Sequence, residues 1–178
     1  MLRLICIYGA ITGVVLTAAF TMTMALGTHG GSYGMVVGYL TMLVSLSIVF
    51  VGVKRYRDTM LGGVIRFWPA FGTGLAIAGI ASLFFVVGWE AYMYATDYTF
   101  MDVYLSQAIA EKQAAGAPAA EVEKFRSDMD AFKIQYANPL FRMLITFSEI
   151  APVGIVVALV SAAILRNSRA FPAVAARS

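Results

Sequence analysis

The chain has 178 residues, of which 60% are hydrophobic and 13% charged, and a formal net charge of +3, with a mean hydropathy of +0.78. A soluble domain carries about 25% charged residues, so this composition excludes soluble enzyme folds, disordered chains and secreted disulfide scaffolds. The single cysteine, Cys6, has no partner within the chain and reads as a small core residue, and the cations lie between apolar runs rather than among stacking aromatics, which argues against nucleic acid.

In chain order, four windows are long and apolar enough to cross a hydrocarbon core of about 30 Å: about Leu4 to Leu26, Gly34 to Val53, Pro69 to Ala95 and Met143 to Leu165. They are continuous rather than alternating, so they predict helices and not barrel strands. The first is longer than a signal h-region and is expected to stay as a helix despite Arg3 before it and Ala18-Ala19 within it. Lys54, Arg55, Arg57 and Arg66 crowd the link between the second and third windows, Arg3 opens the chain, and Arg166, Arg169 and Arg177 follow the last. The positive-inside rule makes these segments cytoplasmic, with both termini inside. Trp89, Tyr92, Tyr94, Tyr98 and Phe100 then mark the outer interface, and Phe67-Trp68 the inner one.

Two segments fall outside. Gly27 to Tyr33 is short and holds His29, the one histidine, while Thr96 to Arg142 is long. Within the long segment Val122, Phe125, Met129, Phe132 and Tyr136 recur at helical spacing, and Met101, Leu105 and Ala108 do so upstream. Ala114-Ala115-Gly116-Ala117-Pro118 divides them with a glycine stop and a proline start. The prediction is an αα-hairpin over about 99–137, on the outer mouth of the bundle, with Asn138-Pro139 turning the chain into the last span. The fold class is all-α: one polytopic membrane domain over 1–178, with four transmembrane helices and an extracytoplasmic αα-hairpin between the third and fourth.

Small residues mark helix faces that meet in lipid. Such stripes run through Gly9, Gly13, Thr17 and Thr21; Gly34, Gly38, Thr41 and Ser45; Gly72, Ala76 and Gly79; and Ala151, Gly154, Ala158 and Ser161. They predict tight packing with little room for a central pore. Two acids interrupt the apolar windows, Glu90 and Glu149. Glu90 lies seven residues before Asp97 and Glu149 seven after Arg142, so each sits two turns, about 10 Å, inside its nearest external charge. A carboxylate in hydrocarbon is costly, so both are expected to face protein or water and to form the polar focus of the molecule. His29, Tyr94, Asp97 and Arg142 are contributors by position. Pro152 removes a backbone hydrogen bond just beyond Glu149 and could turn it inward. No phosphate loop, paired-cysteine site, serine elbow or HExxH occurs, so no catalytic residue, cofactor or metal is assigned.

Phe50-Val51-Gly52-Val53-Lys54-Arg55-Tyr56-Arg57-Asp58, Trp89-Glu90-Ala91-Tyr92-Met93-Tyr94, Phe132-Lys133-Ile134-Gln135-Tyr136-Ala137-Asn138-Pro139-Leu140 and Phe147-Ser148-Glu149-Ile150-Ala151-Pro152-Val153-Gly154, followed by Ser161-Ala162-Ala163-Ile164-Leu165-Arg166, resemble the DUF4199 family of uncharacterised bacterial inner-membrane proteins. The likeness runs from the first helix to Arg166. It implies four spans with a helical insertion before the last, and brings no activity, cofactor or catalytic residue.

Three functions follow as expectations. The leading one is an accessory or structural component of the bacterial inner membrane, surrounded by lipid, whose hairpin docks a membrane or periplasmic protein partner or whose helices meet a second copy in a homo-oligomer. The alternatives are a small proton- or cation-linked transporter or channel subunit using Glu90 and Glu149, and a membrane-embedded enzyme or lipid-handling protein using the same acids.

Overall fold

The computed structural model describes residues 1–26 and 31–172. His29 and Arg177 lie outside the described residues. Among these residues there are six helices and no strand: α1 Leu2–Ala25, α2 Gly31–Met60, α3 Phe67–Ala95, α4 Phe100–Ala114, α5 Ala119–Tyr136 and α6 Pro139–Leu165. Four of them, α1, α2, α3 and α6, are long and apolar enough to cross a membrane. Their outward faces are what a hydrocarbon solvent requires: Val44, Leu83, Val87 and Val156 are exposed large apolar groups. The molecule is a membrane protein.

The second helix outruns its apolar window. Lys54, Arg55 and Arg57, expected in a link, lie on two further helical turns that end at Met60, because these straight-chain residues are good helix formers and their charges sit past the hydrophobic stretch. The inserted segment forms the predicted hairpin. Gly116, at φ +76, ends α4, with the Ala117 amide donating to the Lys112 carbonyl at 3.0 Å; α5 begins just after Pro118. Val122 and Tyr136 are buried and Phe125, Met129 and Phe132 half-buried. Met101 and Ile109 complete the facing side of α4. Two ion pairs brace the hairpin at its ends, Lys112–Glu121 at 2.8 Å and Lys133 with Asp102.

Helix α3 lies between α1 and α6, and α2 closes the group by packing on both of those. In lipid the helices gain little from hiding apolar area, so close approach sets which faces meet. A Cβ at Gly13 would fall 2.4 Å from the Phe84 Cβ, and one at Gly88 2.4 Å from Thr17 Cγ2, so α1 and α3 touch almost backbone to backbone. The α1 stripe from Gly9 to Thr17 and the α6 stripe are therefore packing faces, with Gly154 on Ala78 and Ala158 on Gly74, whereas Thr21 at the end of the α1 stripe is exposed.

Other expectations are corrected. The α3 stripe of Gly72, Ala76 and Gly79 is not an interface: a Cβ at Gly72 or Gly79 would meet nothing within 4 Å, and the packing face is the neighbouring one, Gly74, Ala78 and Ala81. Nor is every residue of the α2 stripe packed, since Gly38 also faces open space. Cys6 is exposed rather than in the core. Trp89, read as an interface anchor, is buried, whereas Trp68 and Tyr94 remain outside at 74% and 75% exposure.

Candidate functional site: the cavity beneath the hairpin and its braced wall

The ends of the long helices nearest the hairpin do not pack tightly. They enclose, with the hairpin, a cavity of about 550 Å³. Phe20 and Met24 of α1, Gly38, Tyr39 and Met42 of α2, and Phe85 and Trp89 of α3 line its sides. Ile145, Thr146 and Glu149 of α6 complete the wall, and α4 and α5 roof it with Phe100, Tyr104, Glu111, Phe132 and Tyr136. The sequence predicts little room for a central pore; the free volume lies at the hairpin end of the helices. The glycines of α2, Gly34 and Gly38, leave space here instead of filling it.

One wall is braced by Arg142, which is 2% exposed. Its Nε donates to Glu90 Oε1 at 2.7 Å and its Nη2 to Glu90 Oε2 at 2.5 Å, a two-pronged pair that ties α6 to α3. Its Nη1 donates to the Tyr136 carbonyl at 3.0 Å, adding the end of α5. The guanidinium also lies 5.2 Å from the Tyr98 ring and 5.8 Å from that of Tyr136. Tyr98 reaches this place because Asp97 and Tyr98 adopt left-handed backbone, φ +49 and +56, where α3 ends. Such a conformation is costly in a tyrosine, and the Tyr98 amide offsets part of it by donating to the Met93 carbonyl at 2.8 Å.

Tyr136 couples the brace to the cavity. Its backbone carbonyl holds Arg142, while its Oη accepts from Trp89 Nε1 at 2.8 Å. Burial pushes the Tyr136 phenol above its ordinary range, against the Trp89 hydrogen bond, which favours the phenolate; the phenol therefore stays neutral. Trp89 is itself held edge-on by Phe20 and Phe100, at ring separations of 5.6 and 4.9 Å.

The predicted site residues part company. Glu90 and Arg142 are joined directly, and the pair stands outside the cavity lining. Glu149 lines the cavity and makes no hydrogen bond or ion pair among the described residues. It is exposed, lies opposite the Gly154–Ala158 face of α6, and borders the cavity together with residues of α1, α2, α3 and the hairpin. Pro152 is exposed inside α6, which runs unbroken past it. Tyr94 and Asp97 are exposed. No group of three or more His, Cys, Asp or Glu that could hold a metal occurs among the described residues.

Sequence reasoning missed three members. Glu111, an acid of the long segment between the third and fourth windows, lines the roof. Tyr136 was taken for an apolar position; its place two residues before the helix-capping Asn138 was the available signal, since that turn brings it beside Arg142. Arg57 was counted as an orienting charge, but it is fully buried at the other end of the molecule. It donates to Asp58 at 2.7 Å, to the Ala170 carbonyl at 2.9 Å and to the Phe171 carbonyl.

No curated protein and no solved structure matches this chain. The model of a family described as a protein of unknown function (DUF4199) matches residues 7–167. That span holds all four long apolar helices but for the first residues of α1, the hairpin, the brace and the cavity, and the chain belongs to the DUF4199 family.

Proposed function

We propose that this chain is a non-enzymatic accessory component of the bacterial inner membrane, with both termini cytoplasmic, whose outer cavity holds a small ligand beneath the hairpin. The cavity carries the reading. At about 550 Å³ it falls in the range of small-molecule sites, about 300–1,000 Å³, and it has their make-up: aromatic and aliphatic walls with a few polar groups aimed inward. The hairpin, braced at both ends, serves as a roof and offers its outer face to a membrane or periplasmic partner. A transporter using Glu90 and Glu149 together is less well supported, because Glu90 is neutralised by Arg142.

Occupancy tests this. A Cβ at Gly38 meets nothing within 4 Å and the residue lines the cavity, so Gly38→Trp should plug the space without disturbing a helix contact. The detergent-purified protein is expected to take up a solvatochromic apolar dye saturably, and Gly38→Trp is expected to abolish that uptake while keeping its helical content. Equal uptake by both would overturn the reading.

A further inference from the structure

We propose that the outer cavity binds a lipophilic organic cation, an amine or onium centre carried on an apolar body; this rests on the reading of the cavity as a ligand site. The charge of the lining is one-sided. Glu111 and Glu149 contribute carboxylates, and the described lining residues include no Lys, Arg or His. Nearby bases are already committed elsewhere: Arg142 to Glu90, Lys112 to Glu121 and Lys133 to Asp102. The side chains of Glu111 and Glu149 have no such partner among the described residues. Both residues are exposed where they border the cavity, and an unpaired carboxylate beside apolar walls draws a cation that brings its own apolar surface to cover them.

The second observation is the aromatic lining. Trp89, Phe100, Tyr104, Phe132 and Tyr136 surround the space, and the negative faces of such rings attract onium centres that are too weakly hydrated to prefer water. A bare metal ion is a poor fit, because it needs several oxygen ligands and no group of three or more His, Cys, Asp or Glu is present among the described residues. A phospholipid headgroup is a poor fit as well. Its ammonium comes with a phosphate, and the lining offers that phosphate no cation.

The chain has two tryptophans, and Trp68 is 74% exposed and takes no part in the cavity. Trp68→Phe therefore leaves Trp89 as a single reporter in the lining. The full chain in a non-ionic detergent would be titrated at about pH 8, where histidine is neutral, with tetraphenylphosphonium and with tetraphenylborate, ions of like shape and opposite charge. Saturable quenching of Trp89 is expected from the phosphonium, with affinity at least about tenfold above that for the borate. Glu149→Gln should weaken the phosphonium about tenfold and leave the borate no weaker. Equal binding of the two ions, or full phosphonium affinity in Glu149→Gln, would overturn the cation assignment. Equal saturable binding of both ions would still leave a ligand site, whereas no response to either ion or to neutral triphenylmethanol would remove the site itself. Competitive displacement of the phosphonium by phosphatidylcholine in mixed micelles would assign the cavity to a lipid headgroup and overturn the proposal as stated. The comparison of the two ions needs no substitution in the cavity, so it decides the matter whether or not the glutamine variant folds.

Discussion

Arg142 at the hairpin end and Arg57 at the opposite end are the two largest fully buried side chains among the described residues, and they are satisfied in different ways. Arg142 meets the carboxylate of another helix face to face. Arg57 meets its own neighbour Asp58 with one nitrogen and turns the rest of its fork to backbone carbonyls, those of Ala170 and Phe171 and, at 3.5 Å, that of Leu165. The Arg57 arrangement anchors a tail: apart from the long contact to Leu165, the last residue of α6, the carbonyls it holds belong to the chain beyond that helix. The Arg142 arrangement instead cancels a charge. Once Glu90 has neutralised Arg142, no basic group among the described residues is left to answer Glu111 and Glu149 across the cavity. One end is closed by its arginine, and at the other the arginine is kept out of an open site.

Breaking each clamp separately sharpens this contrast. The largest effect is expected at the hairpin end. Glu90→Ala leaves a guanidinium buried without its counter-charge and should cost about 3–5 kcal/mol, measured by reversible unfolding in detergent. Replacing both partners, Glu90→Leu with Arg142→Met, should recover most of that loss, since a buried pair contributes little over apolar groups of similar size. A double variant as unstable as the single one would contradict a role limited to mutual neutralisation. A smaller effect, about 1.5–3 kcal/mol, is expected for Arg57→Ala, because it frees backbone carbonyls rather than a buried counter-charge, Asp58 keeping its pair with Lys54. The same variant should be cut by trypsin after Arg169 several-fold faster than the wild type, as the tail loses its anchor. Unchanged cleavage would mean that Phe171 against Phe50, at a ring separation of 5.4 Å, holds the tail without Arg57.

Much of the fold was legible because it rests on two strong signals, continuous apolar length and helical periodicity. The four long helices and the hairpin with its Gly116–Pro118 turn follow from them directly. What periodicity cannot supply is the angular phase of a helix in lipid, where both faces are apolar. That is why the Gly72–Gly79 stripe was assigned to an interface and Gly74 was not, and why Cys6 was placed inside. The site was legible only in part, for a related reason. Glu90, Arg142 and Glu149 stand out as charges in or beside apolar windows, but which of them pair depends on the hairpin fold. Tyr136 and Tyr98 enter through a backbone carbonyl and a left-handed turn, neither of which residue type announces.

The central proposal is that the cavity beneath the hairpin favours positive charge and opens on the side of the membrane opposite the termini, and cysteine accessibility tests it most directly. In a Cys6→Ala background, Ile145→Cys would place a thiol in the cavity lining, and Leu159→Cys would place one on the exposed face of the same helix. Cells with a permeabilised outer membrane would be treated with membrane-impermeant methanethiosulfonates of opposite charge. The account predicts that Ile145→Cys reacts from outside, severalfold faster with the cationic reagent than with the anionic one, and that Leu159→Cys reacts with neither. Equal rates for the two reagents at Ile145→Cys, or reaction only after the inner membrane is opened, would contradict it.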